Sequence, residues 1–217
     1  MAHKSNANME LPISIDNEYV KEVNSFKYLG AEVAFKNVAK TSLNARICKA
    51  KAAFHSLKAL WRNKTLTLGL KIQIYKTMVR TVLLYGLDTV PMTETENNRL
   101  DQADRAMARI IARKGRFDTV TNEAVYTRTK LKPISQHLQM RRMKWFGHVQ
   151  RMPNHRYAKW AWKLGAYTGG KRKRGRPPTS YHKRLQRDFS TRGVTLEQAE
   201  IFAMDKPGFK ALLGPPE

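Results

Sequence analysis

Cysteine is almost absent from this chain, and several kinds of site are excluded with it. Cys48 is the single cysteine among 217 residues, so an internal disulfide and a cysteine-based zinc finger are both impossible. His148 and His155 are seven residues apart, with no thiol or carboxylate near them at a ligand spacing. We therefore predict no metal site in this chain.

Long apolar runs are missing as well. No stretch approaches the roughly 18 apolar residues that a membrane-spanning helix needs, and the chain does not open with a secretory signal peptide. We expect a soluble, intracellular protein with no membrane partner.

Acidic residues are scarce, since 17 Asp and Glu face 41 Lys and Arg and the formal net charge is +24. Between Tyr126 and Arg187, eighteen Lys and Arg occur without one Asp or Glu. Like charges at this density repel one another unless anions lie between them. The composition predicts a polyanion, such as a nucleic acid, as partner. A solvated basic face is the less favoured interpretation, because such faces usually mix charges of both signs.

The apolar pattern predicts a mainly α protein. Alternation between residues 11 and 35 predicts a small β-hairpin or three short strands, with Asp16-Asn17 as a turn. From Thr41 the apolar spacing becomes helical. We expect an N-terminal β-hairpin, an antiparallel helical bundle and a basic helical C-terminal extension. The predicted regions are 1–40 (hairpin), 41–116 (three-helix bundle), 117–164 (basic helical linker), 165–178 (flexible basic Gly/Pro loop) and 179–217 (C-terminal helical segment).

Helix ends can be predicted at several positions. The second bundle helix runs from about Thr67 to Leu84 and ends near Gly86. The third begins at Thr93, whose hydroxyl forms a capping box with Glu96. Pro133 fits the first turn of a later helix that reaches about Met152, with Trp145 expected in the core. Weaker helical patterns follow at 180–190 and 195–204.

Short sequence words occur in a fixed order over residues 11 to 213. They are Phe26-Lys27-Tyr28-Leu29-Gly30, Arg46-Ile47 through Leu60-Trp61, Leu83-Leu84-Tyr85-Gly86, Trp145 through Met152, Gly175-Arg176-Pro177-Pro178, and Ala203-Met204-Asp205-Lys206 with Phe209-Lys210. In this order they resemble the C-terminal region of the endonuclease/reverse transcriptase polyprotein of non-LTR retrotransposons. The last word is similar to a drifted form of the family's closing pattern.

The resemblance implies a primer grip, a helical thumb and a basic extension in a nuclear element-encoded polyprotein that copies RNA into DNA. The family's palm holds two catalytic magnesium ions on an adjacent pair of aspartates and an earlier one, and no two aspartates are adjacent in this chain. We therefore expect a chain without the palm, no cofactor of its own and no polymerisation by itself. The rest of a reverse transcriptase is an expected partner.

Candidate contacts to nucleic acid fall into two groups. By resemblance, Phe26, Lys27, Tyr28, Leu29 and Gly30 form the primer grip, although these residues alone favour an ordinary strand with a bulge glycine. The second group is basic, and any one lysine such as Lys49 or Lys51 could simply be solvated. Its members are Arg46, Lys49, Lys51, Lys58, Arg141, Arg142, Lys144, Arg151, Lys171, Arg172, Lys173, Arg174 and Arg176.

Two further interpretations stay open at the level of sequence. Arg174-Gly175-Arg176-Pro177 matches the core of an AT-hook, which enters the DNA minor groove, and Lys171–Arg174 also fits a nuclear-import signal. The chain could thus be a domesticated chromatin protein, or a retroelement remnant without a present function. No activated nucleophile and no Gly-rich phosphate loop is present, so we predict no catalytic residue and no small-molecule substrate.

Overall fold

The computed structural model describes residues 14–16, 18–19, 23, 25–28, 30–34, 38–113, 119–166 and 180–214. The predicted fold class is confirmed: the described chain is mainly helical and begins with short antiparallel strands. These strands are β1 (Ser14–Ile15), β2 (Glu18–Tyr19), β3 (Ser25–Tyr28) and β4 (Ala31–Ala34), and they pair in two separate hairpins. Asp16 has a positive φ of 50° at the predicted β1–β2 turn.

The helices follow in chain order. They are α1 (Val38–Ser56), α2 (Lys58–Arg62), α3 (Leu68–Ile74), which continues through a π-helical segment (Tyr75–Arg80) into α4 (Thr81–Leu84), a 3-10 turn (Leu87–Thr89), α5 (Glu94–Ile111), α6 (Asn122–Thr129), α7 (Ile134–Gln150), α8 (Tyr157–Ala166), α9 (Tyr181–Ser190), α10 (Leu196–Met204) and α11 (Lys206–Leu213).

Local sequence signals set several helix ends. The Thr67 hydroxyl accepts a hydrogen bond from the Leu70 amide at 3.3 Å, and Gly86 takes a left-handed φ of 71° beyond α4. At the start of α5, Glu96 accepts from the Thr93 amide at 2.7 Å, which completes the predicted capping box. Each cap satisfies backbone groups that the first or last helical turn leaves without a partner.

The first core lies between α1, the α3–α4 helix, α5, α6 and the beginning of α7. Its centre includes Leu43, Phe54, Tyr75, Leu100 and Leu138, all buried. The Phe54 and Trp61 rings stack 5.1 Å apart, and the Trp61 indole N–H donates to the Phe54 carbonyl at 2.7 Å. The bundle predicted from helical periodicity therefore has a continuous apolar interior.

The second core is smaller and lies between the later part of α7 and helices α9, α10 and α11. Phe146 contacts Phe189 with ring centroids 5.1 Å apart. Helix α7 thus takes part in both cores, with Ile134 and Leu138 in the first and Met143 and Phe146 in the second. The structure also contains α6, α8 and α11, which the sequence pattern did not predict as separate helices.

Among the described helices, none is long and apolar enough to cross a bilayer.

Candidate nucleic-acid interface

The predicted primer-grip residues lie on the β3–β4 hairpin. Tyr28 pairs with Ala31, and Gly30 between the two strands has φ +80°. This φ is one that residues other than glycine rarely adopt. The side chains of Phe26, Lys27 and Tyr28 are exposed, with the Phe26 and Tyr28 rings 6.4 Å apart on one face. Leu29 lies outside the described residues.

Arg46 has an internal position instead of the predicted contact with nucleic acid. Its guanidinium donates to the Gly30 carbonyl and lies over the Tyr85 ring, 4.4 Å from the ring centroid. The residue is only 8% exposed. Because its charge is directed at the hairpin backbone and an aromatic face, Arg46 attaches the β3–β4 hairpin to the helical bundle.

Three predicted lysines of the bundle are exposed, namely Lys49, Lys51 and Lys58. Lys49 and Lys51 lie two positions apart on α1, and successive residues of an α-helix turn by about 100°. They therefore point to nearly opposite sides of the helix and do not share one basic face. Lys58 belongs to α2, beyond the break at Leu57.

Two of the predicted arginines on α7 also have partners within the protein. Arg142 is 0% exposed, and its Nε and Nη2 donate to the Asp188 carboxylate at 2.7 and 3.1 Å. Arg151 donates through Nη1 to the Ala203 carbonyl at 2.6 Å. The prediction of a phosphate contact for Arg142 is wrong, because this side chain is inside the second core. Arg151 holds α7 against α10.

Of the two neighbouring aromatic residues of α7, the structure buries Phe146 and not Trp145. Phe146 is buried at the centre of the second core, whereas Trp145 is 45% exposed. The prediction that Trp145 is a core residue is wrong because α7 packs against helices on two sides, and a single apolar stripe in the sequence could not locate both contacts. An exposed indole on a basic helix is available to stack on a base.

A continuous basic groove runs along α3 and α6, and we call it the α3–α6 groove. It combines two adjoining cavities of about 190 and 450 Å³ that share Leu68 and Arg128. Among the described residues that line it there is no Asp or Glu. Its basic lining residues are spread along the chain, namely Lys64, Lys71, Lys76, Arg113, Arg128 and Lys130. Of these, Lys71 is 2% exposed, and its ammonium donates to the Trp61 and Asn63 carbonyls.

Lys71 and Gly69 form part of the groove wall. The Lys71 ammonium donates to the Trp61 carbonyl at 2.9 Å, and burial together with the nearby Arg113 charge lowers the pKa of this lysine. A bound anion would relieve that repulsion. Gly69 is exposed, and nothing lies within 4 Å of a β-carbon placed there, so the groove is open at this point.

A second groove lies between α7, the α9–α10 turn and the end of α11, and we call it the α7 groove. None of its described lining residues is Asp or Glu. Its volume is about 490 Å³. It contains two of the predicted contacts: Lys144 is exposed, and Arg141 forms an ion pair of 3.3 Å with Asp88 at the surface. Exposed pairs of this kind contribute about 0–1 kcal/mol, so a phosphate can compete for Arg141. The basic and imidazole groups that line the groove are Lys132, His137, Arg141, Lys144 and Arg192.

The two grooves approach each other along the chain. Lys130 lines the α3–α6 groove and Lys132 lines the α7 groove, and only the buried Leu131 separates them. Two residues span at most about 7 Å, so the backbones of the two grooves come close together at Leu131. Sequence reasoning missed the α3–α6 groove because its cations are spread from Lys64 to Lys130, and no local run identifies them.

The predicted loop contacts Lys171, Arg172, Lys173, Arg174 and Arg176 lie outside the described residues. Within the described part of the chain, no group of three or more His, Cys, Asp or Glu is arranged to hold a metal ion. Comparisons with protein-family models, with curated proteins and with solved structures returned no match.

Proposed function

We propose that this chain is the nucleic-acid-binding C-terminal part of a non-LTR retrotransposon reverse transcriptase. It grips RNA, DNA or their hybrid by contacts to phosphates, in the nucleus, next to the rest of the enzyme. RNA-directed DNA polymerisation belongs to that remaining part. The ordered words from Phe26 to Lys210 support the family, and the folded basic surface supports the binding role.

The observation that carries the proposal is the α3–α6 groove. Cations from distant parts of the chain line this groove, and none of the described residues that line it is a carboxylate. Such an arrangement costs stability in the free protein unless an anion is bound. Its six basic lining residues offer contacts to several phosphates of a strand. Contacts of this kind position a strand without reading its sequence.

A charge placed at Gly69 tests the groove directly. Gly69→Glu fits without steric conflict, and a carboxylate in the first turn of a helix favours folding. We expect this variant to bind a single-stranded RNA or a hybrid about three- to tenfold more weakly at low salt, through like-charge repulsion. Gly69→Gln has nearly the same size without the charge, so it separates repulsion from filling of the groove. Equal affinities of the two variants would show that the groove is not part of the interface with nucleic acid.

A salt series measures the number of phosphate contacts. Removing one cation that binds a phosphate lowers the slope of log affinity against log salt by about one. Arg128→Gln, which changes a residue of both cavities, should lower the slope. Lys210→Gln changes an exposed lysine of α11 that lines neither groove and serves as the matched control.

The choice of probe distinguishes the proposed function from its alternatives. Preference for RNA–DNA hybrid supports a reverse transcriptase part, whereas preference for AT-rich duplex supports a chromatin protein that uses Arg174 and Arg176. Weak binding to every probe, abolished by moderate salt, indicates a remnant. In a primer-extension assay with magnesium and nucleotides, we expect no product from this chain alone, and robust synthesis would contradict the proposal.

A further inference from the structure

An aromatic pocket lies between α7, α8 and α9, apart from both basic grooves. Its volume is about 510 Å³, within the range of about 300–1,000 Å³ that is typical of sites for small molecules. Trp145 and Trp162 line it together with Tyr181 and His182. No Asp or Glu is among the described residues that form its walls.

The rings of this pocket are held in fixed orientations. The His182 imidazole stacks on Trp162 with centroids 3.8 Å apart and planes 24° apart, and Phe146 contacts Trp162 edge-on at 5.2 Å. Gly165 allows the close approach of His182, since a β-carbon at this glycine would lie 3.0 Å from the imidazole. Trp145, half exposed, adds an accessible indole. Rigid aromatic faces of this kind stack on planar ligands.

Tyr181 contributes its ring to the pocket, whereas its hydroxyl is buried in the protein. The hydroxyl has no partner among the described residues, and the charges that act on it belong to Arg142, Asp88 and Asp188. Burial raises the pKa of Tyr181 to about 12, so the hydroxyl stays protonated at neutral pH. A ligand in the pocket therefore meets the aromatic ring of Tyr181 and not its hydroxyl.

His182 supports the wall of the pocket. Burial lowers its pKa, and the Glu200 charge and a hydrogen bond with the Trp162 backbone act in the opposite direction. Its Nε2 is buried without a partner among the described residues. His182 therefore holds the Trp162 ring in place by stacking and does not offer this nitrogen to a ligand.

The charges at the rim favour an anionic occupant over an apolar peptide. Each of three lining aromatic residues has an exposed lysine next to it in the chain, in the pairs Lys144 with Trp145, Trp162 with Lys163, and His182 with Lys183. Adjacent positions on a helix differ by about 100°, so these lysines lie beside the pocket and not in it. This combination of stacking faces and surrounding cations matches a base attached to a phosphate backbone.

We propose that this pocket binds one unpaired nucleobase of a single-stranded nucleic acid, stacked on the exposed Trp145 indole beside the other aromatic walls. The inference rests on the proposed function and deepens it, because phosphate contacts in the grooves hold the strand while the pocket binds a base. Every nucleobase has a planar face that can stack on an indole, so the pocket is expected to tolerate all of them.

The test compares two single-stranded DNA probes of equal length on the full chain. One carries bases throughout and the other is abasic, so both present the same phosphates. We expect the wild-type chain to bind the base-containing strand about five- to a hundredfold more tightly, the range expected for stacking of one base on an aromatic side chain. Trp145→Ala should remove most of this preference while affinity for the abasic strand is retained.

Two further variants make the outcome specific. Trp160→Ala removes an exposed indole of α8 that does not line the pocket, and the preference should persist. Tyr181→Phe keeps the ring that lines the pocket and removes a hydroxyl that is buried in the protein, so the preference should persist in this variant as well. If the wild-type chain binds both probes with equal affinity, the proposed binding of a base in the pocket is contradicted, and the proposed function is not affected. If the chain binds neither probe, the proposed function itself is contradicted.

Discussion

Arg142 and Asp188 form a fully buried ion pair that joins α7 to α9, with Arg142 Nε 2.7 Å from the carboxylate. Asp188 is the first acidic residue after the long basic run that ends at Arg187. It also lies 3.3 Å from the Arg184 guanidinium. A single carboxylate at the end of the run therefore pairs with two buried arginines, and Glu94 lies 3.5 Å from the second, Arg184. Burial and these partners remove both arginines from the set that can meet phosphate.

Removal of Asp188 should be strongly destabilising. Asp188→Ala leaves the Arg142 charge buried without its partner, a change that typically costs about 3–5 kcal/mol. The midpoint of urea unfolding, followed by circular dichroism, measures the destabilisation. The double variant Arg142→Met, Asp188→Leu replaces the pair by apolar groups and should recover much of the stability. A double variant no more stable than Asp188→Ala would show that the pair is not the cause.

A pair of glycine substitutions contrasts a packed position with an open one. At Gly147, in the second core, an added β-carbon would overlap the Phe209 ring, so Gly147→Ala should destabilise by about 1–3 kcal/mol. At Gly69 nothing lies nearby, and Gly69→Ala should stabilise by up to about 1 kcal/mol through helix propensity. Thermal unfolding compares the two, and shifts of the same sign would contradict the described packing of α11 on α7.

Arg46 should act on the hairpin rather than on nucleic acid. Arg46→Met removes the hydrogen bond to Gly30 and the contact with Tyr85, an effect of about 1 kcal/mol. Amide exchange in β3 and β4 should become about fivefold faster, which mass spectrometry after deuterium labelling detects. Lys49→Met is the control, since Lys49 is exposed. Unchanged exchange in the hairpin would leave Arg46 available as a ligand for phosphate.

His182 should make stability depend on pH below neutrality. Burial lowers the pKa of His182 in the folded chain, against a smaller opposite effect of Glu200. As the pH falls through the ordinary value of about 6.5, the unfolded chain takes up a proton first, so stability decreases until the lower folded pKa is passed. Unfolding by urea between about pH 5 and 7 should be less pH-dependent in His182→Gln than in the wild type. Identical slopes would contradict a lowered pKa.

Residues close together in the sequence were sufficient to predict where the main helices begin and end. The capping box at Thr93, the stop near Gly86 and the start of α7 after Pro133 depend on residues within a few positions of one another, so they can be recognised without knowledge of the fold. Helices α6, α8 and α11 are short, eight to ten residues. Packing stabilises such helices more than their own sequence does.

The sequence by itself determined the charge of +24, the helical class and the ends of the main helices, because these follow from composition and from neighbours along the chain. Only the tertiary structure decided which cations face solvent. Arg142 is neutralised by a residue 46 positions away, and the groove cations from Lys64 to Lys130 meet only when α3, α5 and α6 pack together. Burial and electrostatic pairing depend on distance in space, which local sequence patterns do not encode.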